Sequence, residues 1–375
     1  MFKKSLAAIA VLGTAAGFAC AADVTLYGVV DEGFVFEKTK MEAQGLATEK
    51  ENAFGLQSGV SASSRFGLKG SEDLGNGLKV GFKLENGFRA DSGELKSSSR
   101  IFDREASVTL SGDFGALSMG RMGGVGSSAG VDAVYATADA FDGGDNNVLG
   151  LAISDRYDNM VQYQTPVFAG VQGTFQYSFK QDAKADEARE GSAAANRYMG
   201  AALNGSFGPV QAVLGYEFFN YASNNGSVAY DVEDGQIVYL GGNYDCGFAK
   251  TFVMAQYFKD LNAAQLAAVK DYDDFEGGVY EGYGLHLGTQ FAALAGDFTV
   301  GAYYVDGNTV AATAAEERDL TYYGVGARYE YALSKRTGLY TGVGYGKTKQ
   351  EAENRGDKDT TAEVTQAYVG LVHKF

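Results

Sequence analysis

The residue types that most often carry enzyme chemistry are few and isolated in this chain. The 375-residue sequence has two histidines, His286 and His373, and no nucleophile or orienting acid is marked beside either. A catalytic triad requires both partners within hydrogen-bond reach of its histidine. His286 alternates with Leu285 and Leu287, which predicts that its ring lies on the opposite face of a strand and points into an enclosed interior. The pattern therefore predicts no catalytic residue and no enzyme.

Three other stretches resemble ligand-binding motifs but lack the required context. Residues 124–129 resemble a dinucleotide fingerprint without a strand-helix-strand unit around it, and residues 341–348 resemble a phosphate loop in which Thr341 replaces the first glycine. The carboxylates of residues 271–276 suit calcium or magnesium, but their spacing is not that of a helix-loop-helix calcium site. We therefore interpret residues 271–276 as a solvated acidic loop, preceded by a short helix at residues 263–270. No metal or cofactor is predicted.

The elements available to position functional residues are strands of alternating polarity. In residues 78–85 the even-numbered positions are apolar (Leu78, Val80, Phe82 and Leu84), and the odd-numbered positions are charged or small. Residues 323–331 and 339–346 repeat this alternation. A strand that spans a bilayer must present apolar side chains to lipid and polar ones to the barrel lumen. The strands of soluble β-sandwiches also alternate apolar and polar residues, but they are shorter than strands that span a membrane.

Connection length separates these two interpretations. Seven short turns are predicted at residues 70–77, 111–115, 165–170, 204–209, 243–248, 291–296 and 332–338. Eight longer polar segments lie between them, at residues 37–58, 89–99, 122–155, 180–196, 220–235, 260–280, 306–319 and 347–362. The strict alternation predicts a 16-stranded antiparallel transmembrane β-barrel with short periplasmic turns and long external loops. The strands near Tyr198 and Gln236 have the weakest patterns.

The N-terminal residues are typical of an export signal. A positive start, an apolar stretch and small residues near Cys20 predict a signal peptide over residues 1–22, followed by one barrel domain over residues 23–375. A lipoprotein signal with lipid on Cys20 is the alternative, although Gly17 stands where such signals usually have leucine. Without Cys20, Cys246 is the only thiol, so no intrachain disulfide is expected.

Composition excludes several other classes of protein. The formal net charge is −16, and a nucleic-acid partner would require clustered basic residues. Gly is abundant at 52 residues, Pro numbers only 2, and Tyr and Phe number 24 each, which argues against a disordered chain. Beyond residue 22 no stretch approaches the roughly 20 apolar residues of a spanning helix. Any membrane crossing must therefore use strands.

Several blocks resemble the general porins of Neisseria and of the Burkholderia and Bordetella group. They are residues 23–28 (DVTLYG), 64–79 (SRFGLKGSEDLGNGLK), 114–121 (FGALSMGR), 333–337 (LSKRT) and 369–375 (VGLVHKF), which span the chain from the first strand to the last. The resemblance implies a homotrimeric barrel in the outer membrane of a Gram-negative bacterium, in contact with lipid and lipopolysaccharide. It also implies passive diffusion of small hydrophilic solutes and ions, and a third external loop that folds into the lumen opposite a row of arginines.

The resemblance places the basic wall of the pore constriction at Arg65, Arg104 and Arg156, with Lys69 and Lys83 beside them. Strand parity predicts that Arg65, Lys69 and Arg156 face the lumen. Arg104 shares parity with Val108 and Leu110, so either it lines the pore on a strand whose outward polar face meets another subunit, or it does not line the pore. We adopt the first alternative as a hypothesis.

The inward loop implied by the resemblance is residues 122–155, whose predicted pore-facing carboxylates are Asp132, Asp139, Asp142 and Asp145. Opposed rows of charge orient a passing ion and select by sign. The arginine row favours anions, whereas the overall negative charge favours cations at the mouth, where screening over roughly 8 to 10 Å limits its reach. The constriction is therefore expected to have the larger influence on selectivity.

Two competing functions remain open on this sequence. One keeps the barrel but closes the lumen and uses the external loops as an adhesin or receptor. The other is a substrate-selective channel, which predicts a run of aromatic residues along the lumen. Tyr322 and Tyr340 alone are too few for such a run. Pore conductance separates the first alternative from a diffusion channel, and block by one particular solute separates the second.

Overall fold

The computed structural model describes residues 23–127, 134–141, 148–184, 189–221, 233–269, 279–310, 317–352 and 359–375. The predicted signal peptide, residues 1–22, and the acidic stretch 271–276 lie outside the described residues. The strands are β1 (Thr25–Ala43), β2 (Glu49–Ser58), β3 (Arg65–Gly75), β4 (Leu78–Gly87), β5 (Glu105–Gly112), β6 (Gly115–Gly123), β7 (Arg156–Gln164), β8 (Val171–Ser178), β9 (Arg197–Phe207), β10 (Val210–Asn220), β11 (Gly235–Asp245), β12 (Ala249–Asn262), β13 (Val279–Ala293), β14 (Gly296–Thr309), β15 (Arg318–Ala332), β16 (Thr337–Ala352) and β17 (Thr360–Lys374).

These strands form one antiparallel sheet that closes into a barrel, because β1 pairs with both β2 and β17. The seventeen segments make sixteen barrel strands. β2 and β3 pair with successive parts of β1, through Glu32 with Ser58 and Val29 with Arg65, so they are two parts of one strand interrupted by residues 59–64. The predicted 16-stranded antiparallel barrel is confirmed.

Alternation of side chains separates an outer from an inner face. Leu285 and Leu287 are 45% and 60% exposed, whereas His286 between them is 4% exposed and contacts residues inside the barrel. Phe66 and Leu68 are exposed on the outer face of β3, and Gly67 between them meets the hydroxyl of Tyr27. The apolar outer face suits lipid and the polar inner face suits water.

The abundance of glycine follows partly from the packing of inward tyrosines. Gly342 pairs with Tyr368, and a Cβ atom at Gly342 would overlap the Tyr368 hydroxyl oxygen. Gly370 pairs with Tyr340, and a Cβ atom there would overlap the Tyr340 hydroxyl oxygen in the same way. These close approaches require residues without side chains, because the hydroxyl end of each tyrosine ring lies against the paired glycine of the neighbouring strand.

The seven predicted short turns all join consecutive strands in the structure, between β3 and β16. The prediction that residues 37–58 form a loop was wrong, because β1 continues to Ala43 and forms a hairpin with β2. β12, β14 and β16 likewise extend into predicted loops. Polar residues mislead here because a strand outside the bilayer needs no apolar face, and cross-strand hydrogen bonds alone extend the ladder.

Helical structure is confined to short pieces in the described residues. Helix α1 (Tyr135–Ala138) lies in the connection between β6 and β7, and a 3-10 helix (Ala263–Gln265) follows β12 where a short helix was predicted. Within the described ranges, none of the helices has the length and apolar character needed to cross a membrane.

Candidate functional site: a cationic wall and an anchored connection

A buried carboxylate organises the positive charges on the inner face of β3 and β4. Glu85 accepts hydrogen bonds from the Tyr27 hydroxyl at 2.8 Å and from Arg104 Nε at 2.7 Å. The nitrogen atoms Arg65 Nε and Lys83 Nζ each lie 3.9 Å from Glu85 Oε2. We call Arg65, Lys69, Lys83 and Arg104, grouped around Glu85, the cationic wall.

The cations of this wall have several different partners. Lys83 Nζ lies 2.7 Å from a carboxylate oxygen of Glu105, and Lys69 Nζ lies 5.2 Å from the centre of the Tyr27 ring. Arg65 donates from Nη1 to the carbonyl of Ser63 at 2.9 Å. Because the wall contains four cations and only two carboxylates, Glu85 and Glu105, it keeps a surplus of positive charge beside the lumen.

Arg104 reaches the inner face by a route that strand parity does not predict. It lies just before β5, and its side chain turns towards Glu85. Within β5 itself, Glu105 binds inward Lys83, whereas Val108 and Leu110 are exposed on the outer face. The expectation of an outward polar face on this strand is therefore incorrect, since parity was extended to a residue outside the strand.

Arg156, at the start of β7, also lies beyond a break in alternation. Asn159 has a φ of 51°, a left-handed conformation that interrupts the regular strand between Asp158 and Met160. Parity therefore does not determine the direction of the Arg156 side chain. Its Nη1 lies 3.8 Å from Asp155, its buried Nε has no hydrogen-bond partner among the described residues, and Arg104 and Arg121 are its electrostatic neighbours.

A second ion network beside Arg156 was missed by the sequence reasoning. Asp158 accepts hydrogen bonds from Arg121 Nη1 and Arg100 Nη2, each at 2.7 Å, and from the Ala183 amide at 2.8 Å. Arg100 also binds Asp182. Arg121, on β6, ends one of the recognisable sequence blocks, but local sequence did not indicate that it would meet Arg100 of the β4–β5 connection and Ala183 of the β8–β9 connection at Asp158.

The connection between β4 and β5, residues 88–104, supplies two further cations. Arg89 and Lys96 line a polar pocket with residues of β1, β2 and β17. Enclosure by the surrounding protein lowers the pKa of the Lys96 ammonium, and the positive charges of Arg104 and Arg156 lower it further. Lys96 therefore belongs to the same electrostatic environment as the predicted arginines, although its loop position concealed this.

The predicted acidic side of the constriction is only partly visible. Asp132, Asp142 and Asp145 lie outside the described residues. Asp139 is described, and it is buried rather than facing the cationic wall: it accepts a hydrogen bond from the Tyr303 hydroxyl at 2.6 Å, and its Oδ1 lies 3.2 Å from His286 Nε2. The physical reason is that α1 ends at Ala138 and directs Asp139 against β13 and β14.

His286 fixes the backbone next to Asp139. Its Nε2 accepts a hydrogen bond from the Ala140 amide at 3.1 Å, and its Nδ1 lies 3.1 Å from the carbonyl of Ala302. A neutral imidazole with its proton on Nδ1 satisfies both contacts. His286 therefore holds the β6–β7 connection against the inner face of the barrel.

Glu217 on β10 anchors the beginning of the same connection. Its Oε1 accepts from the Gly126 amide at 3.0 Å and from the Tyr198 hydroxyl at 2.6 Å, and its Oε2 accepts from the Tyr239 hydroxyl at 2.7 Å. Further along, the Tyr322 hydroxyl donates to the Val148 carbonyl at 2.6 Å. We call the inward residues that hold this connection the anchored wall; they are Tyr198, Glu217, Tyr239, His286, Tyr303 and Tyr322.

The arrangement suits the orientation of charged solutes better than bond chemistry. One inner surface carries a surplus of positive charge, and another holds a connecting segment through buried hydrogen bonds. Among the residues that the structure describes, no group of three or more histidine, cysteine, aspartate or glutamate side chains could hold a metal ion.

Comparison with known proteins places this barrel among outer-membrane channels. The sequence profile of a family described as Gram-negative porin matches residues 6–351. An outer membrane porin protein of Bordetella pertussis is 30% identical over 417 residues, and a major outer membrane protein P.IB of Neisseria gonorrhoeae is 28% identical over 387 residues; both alignments cover 100% of each chain. The solved structure of an anion-selective porin from Comamonas acidovorans is 25% identical, with a TM-score of 0.62, and covers 95% of this chain and 100% of its own.

Proposed function

The chain belongs to the Gram-negative porin family and forms a general diffusion channel in the outer membrane; from this premise we propose that its constriction lies between the cationic wall and the β6–β7 connection. The observation that carries the proposal is the cluster around Glu85, where Arg65, Lys83 and Arg104 surround a single carboxylate on the inner face. Arginine keeps its charge in all conditions, so such a group requires water and counterions.

The proposed constriction passes small hydrophilic solutes and favours anions. Positive side chains outnumber the carboxylates of the cationic wall, and Lys96, Arg104 and Arg156 add to one another's potential. The similar porin of Comamonas acidovorans is described as anion-selective, which supports the same sign here. Asp132, Asp142 and Asp145 remain the proposed acidic side, whereas Asp139 acts as an anchor.

Transport through this channel needs no cofactor and no catalytic step in our proposal. We also propose that three copies assemble, with outer lipid and lipopolysaccharide around them. The outer face of the β1–β2 hairpin supports a contact surface, because Phe34 and Phe54 stack at 5.9 Å and are 52% and 72% exposed. We propose that a neighbouring copy, rather than lipid, covers this aromatic pair.

Single-channel recording of the detergent-extracted protein in a planar bilayer tests the proposal. Under a potassium chloride gradient, we expect current steps in groups of three and a zero-current potential of the sign for anion preference. Arg104→Ala should reduce the anion preference, because the cationic wall loses one charge. Arg336→Ala, in the short turn between β15 and β16, removes an arginine remote from the wall and is the matched control.

Two outcomes would contradict parts of this proposal. Equal zero-current potentials for Arg104→Ala and the unmodified protein would remove Arg104 from the constriction. Correctly folded barrels that carry no current would indicate a closed lumen, and the longer connections would then become the proposed place of a receptor or adhesin function.

A further inference from the structure

The polar pocket lined by Arg89 and Lys96 lies beside the proposed constriction, and its capacity to bind a ligand goes beyond the proposed function. It has a volume of about 370 Å³ and is bounded by β1, β2, β17 and the β4–β5 connection. Its lining includes Glu37 and Gln366 from the barrel and Arg89 and Lys96 from the connection. A cavity of this size in the inner wall suits one small solute.

The barrel side of the pocket presents acceptors. Gln366 donates from Nε2 to Glu37 Oε2 at 3.3 Å, which sets the orientation of its amide. Its carbonyl Oε1 is buried and has no hydrogen-bond donor among the described residues, and the side chain is 3% exposed. An unsatisfied buried acceptor is costly, so a ligand that supplies an N–H donor here would be favoured.

The connection side presents positive charge. Neither Arg89 nor Lys96 forms an ion pair with any described residue, and each carries donors suited to a carboxylate. The nearby charges of Arg104 and Arg156 disfavour a further cation at this side. The pocket therefore combines an anionic, acceptor-rich side with a cationic, donor-rich side.

Several backbone contacts hold both sides in place. The amides of Val60, Ser61 and Ala62 donate to the carboxylate of Asp31 at 3.1, 3.2 and 2.8 Å, which fixes the segment between β2 and β3. The Ala90 amide donates to Ser58 Oγ at 2.9 Å. These contacts tie the connection to the barrel next to the pocket.

The distribution of charge in the pocket indicates which class of ligand it binds. We propose that the pocket is a binding site for a zwitterionic α-amino acid with a small side chain, an inference that rests on the proposed passage of solutes through this lumen. The α-carboxylate binds Arg89 and Lys96, and the ammonium binds Glu37 and the Gln366 carbonyl. Charge-assisted hydrogen bonds at both ends give a zwitterion an advantage over a simple anion or cation.

Isothermal titration of the full-length, detergent-extracted barrel with L-serine tests the proposal. Glycerate replaces the ammonium of serine by a hydroxyl group, and ethanolamine lacks the carboxylate. We expect saturable binding of serine and at least about tenfold weaker binding of both analogues, since each loses one charge-assisted contact. Equal binding of glycerate and serine would overturn the proposal in favour of a general anion site.

Matched variants assign the binding to this pocket. Glu37→Gln and Lys96→Gln should each weaken serine binding by about tenfold, whereas Glu49→Gln and Lys50→Gln, on the exposed β2 end of the hairpin, should leave it unchanged. Unchanged binding in both pocket variants would refute the site.

Channel recordings on the same preparation separate this proposal from the proposed function. Potassium chloride conductance without serine binding would overturn the amino-acid site and leave the diffusion channel intact. Folded barrels without conductance would overturn the proposed function, and the site that depends on it would fall too.

Discussion

The cationic wall and the anchored wall use carboxylates in opposite ways. Glu85 is surrounded by cations that remain partly accessible, with exposed side-chain fractions of 28% for Arg65 and 35% for Lys83. Glu217 is fully buried and is bound by two tyrosine hydroxyls and an amide. The first arrangement leaves a field in the lumen, whereas the second fixes a segment of chain.

Solvent access explains why these two regions differ in expected sensitivity. Ion pairs beside water contribute little to folding, because water and salt replace the partner. A buried carboxylate that loses its donors, or donors that lose their carboxylate, cannot be rescued by water. Substitutions in the anchored wall should therefore change stability, and substitutions of the more accessible cations of the cationic wall, Arg65 and Lys83, should chiefly change selectivity.

The largest expected effect is that of Glu217→Ala. The substitution removes the acceptor of Gly126, Tyr198 and Tyr239, and we expect it to lower the free energy of unfolding by about 3 kcal/mol. Urea unfolding in detergent, followed by circular dichroism, measures this loss. Glu351→Ala removes an exposed carboxylate paired with Lys349 and should cost less than about 0.5 kcal/mol. Equal losses would contradict the contrast between buried and exposed carboxylates.

A smaller loss of stability is expected for Tyr303→Phe. The substitution removes the hydroxyl that donates to buried Asp139, and a hydrogen bond to a charged group contributes about 2 kcal/mol. Tyr304→Phe is the matched control, because its hydroxyl binds Asp306 at 2.9 Å on a less enclosed side of the same strand. Similar unfolding free energies for the two variants would show that Asp139 does not anchor the connection.

In the cationic wall the expected change is one of selectivity. Arg65→Glu places a second carboxylate beside Glu85, and we expect the ratio of anion to cation permeability to fall about tenfold, equivalent to about 1.4 kcal/mol. The zero-current potential under a salt gradient measures this ratio. Arg336→Glu makes the same charge change outside the wall and should have little effect. An unchanged potential for Arg65→Glu would remove Arg65 from the ion path.

The sequence predicted the barrel well because alternation and turn chemistry are local. The outward Leu285 and Leu287 and the inward His286 are assigned correctly from three consecutive residues. Parity fails at Arg104, which precedes its strand, and it does not determine the direction of the Arg156 side chain, which lies beyond the left-handed Asn159. One residue that breaks the alternation reverses the predicted face, inner or outer, of every residue beyond it in the strand.

The contacts that join distant segments could not be predicted in this way. Nothing in the local sequence marks Glu217 on β10, yet it contacts Gly126 in the β6–β7 connection, 91 residues away along the chain. Asp139 was expected to face water because it lies in a glycine-rich acidic segment, but tertiary packing places it against Tyr303 and His286. Residue type indicated charge in both cases, and only the fold decides whether that charge faces a solute or a hydroxyl donor.

The smallest predicted effect distinguishes Lys96 from the arginines around it. Because enclosure and neighbouring cations lower the pKa of Lys96, its ammonium loses its proton at a lower pH than an ordinary lysine, whereas the arginines stay charged. The anion preference of the unmodified channel should therefore decrease as the pH rises towards the usual lysine range. Lys96→Gln should show about a threefold lower anion preference at neutral pH.

The pH dependence of that variant provides the sharper comparison. Lys96→Gln has no ammonium to titrate, so its zero-current potential should change less between neutral and alkaline pH than that of the unmodified channel. Lys50→Gln, on the exposed hairpin, should keep the full response. A pH response of equal size in all three proteins would assign the titration to other groups and would remove Lys96 from the field of the cationic wall.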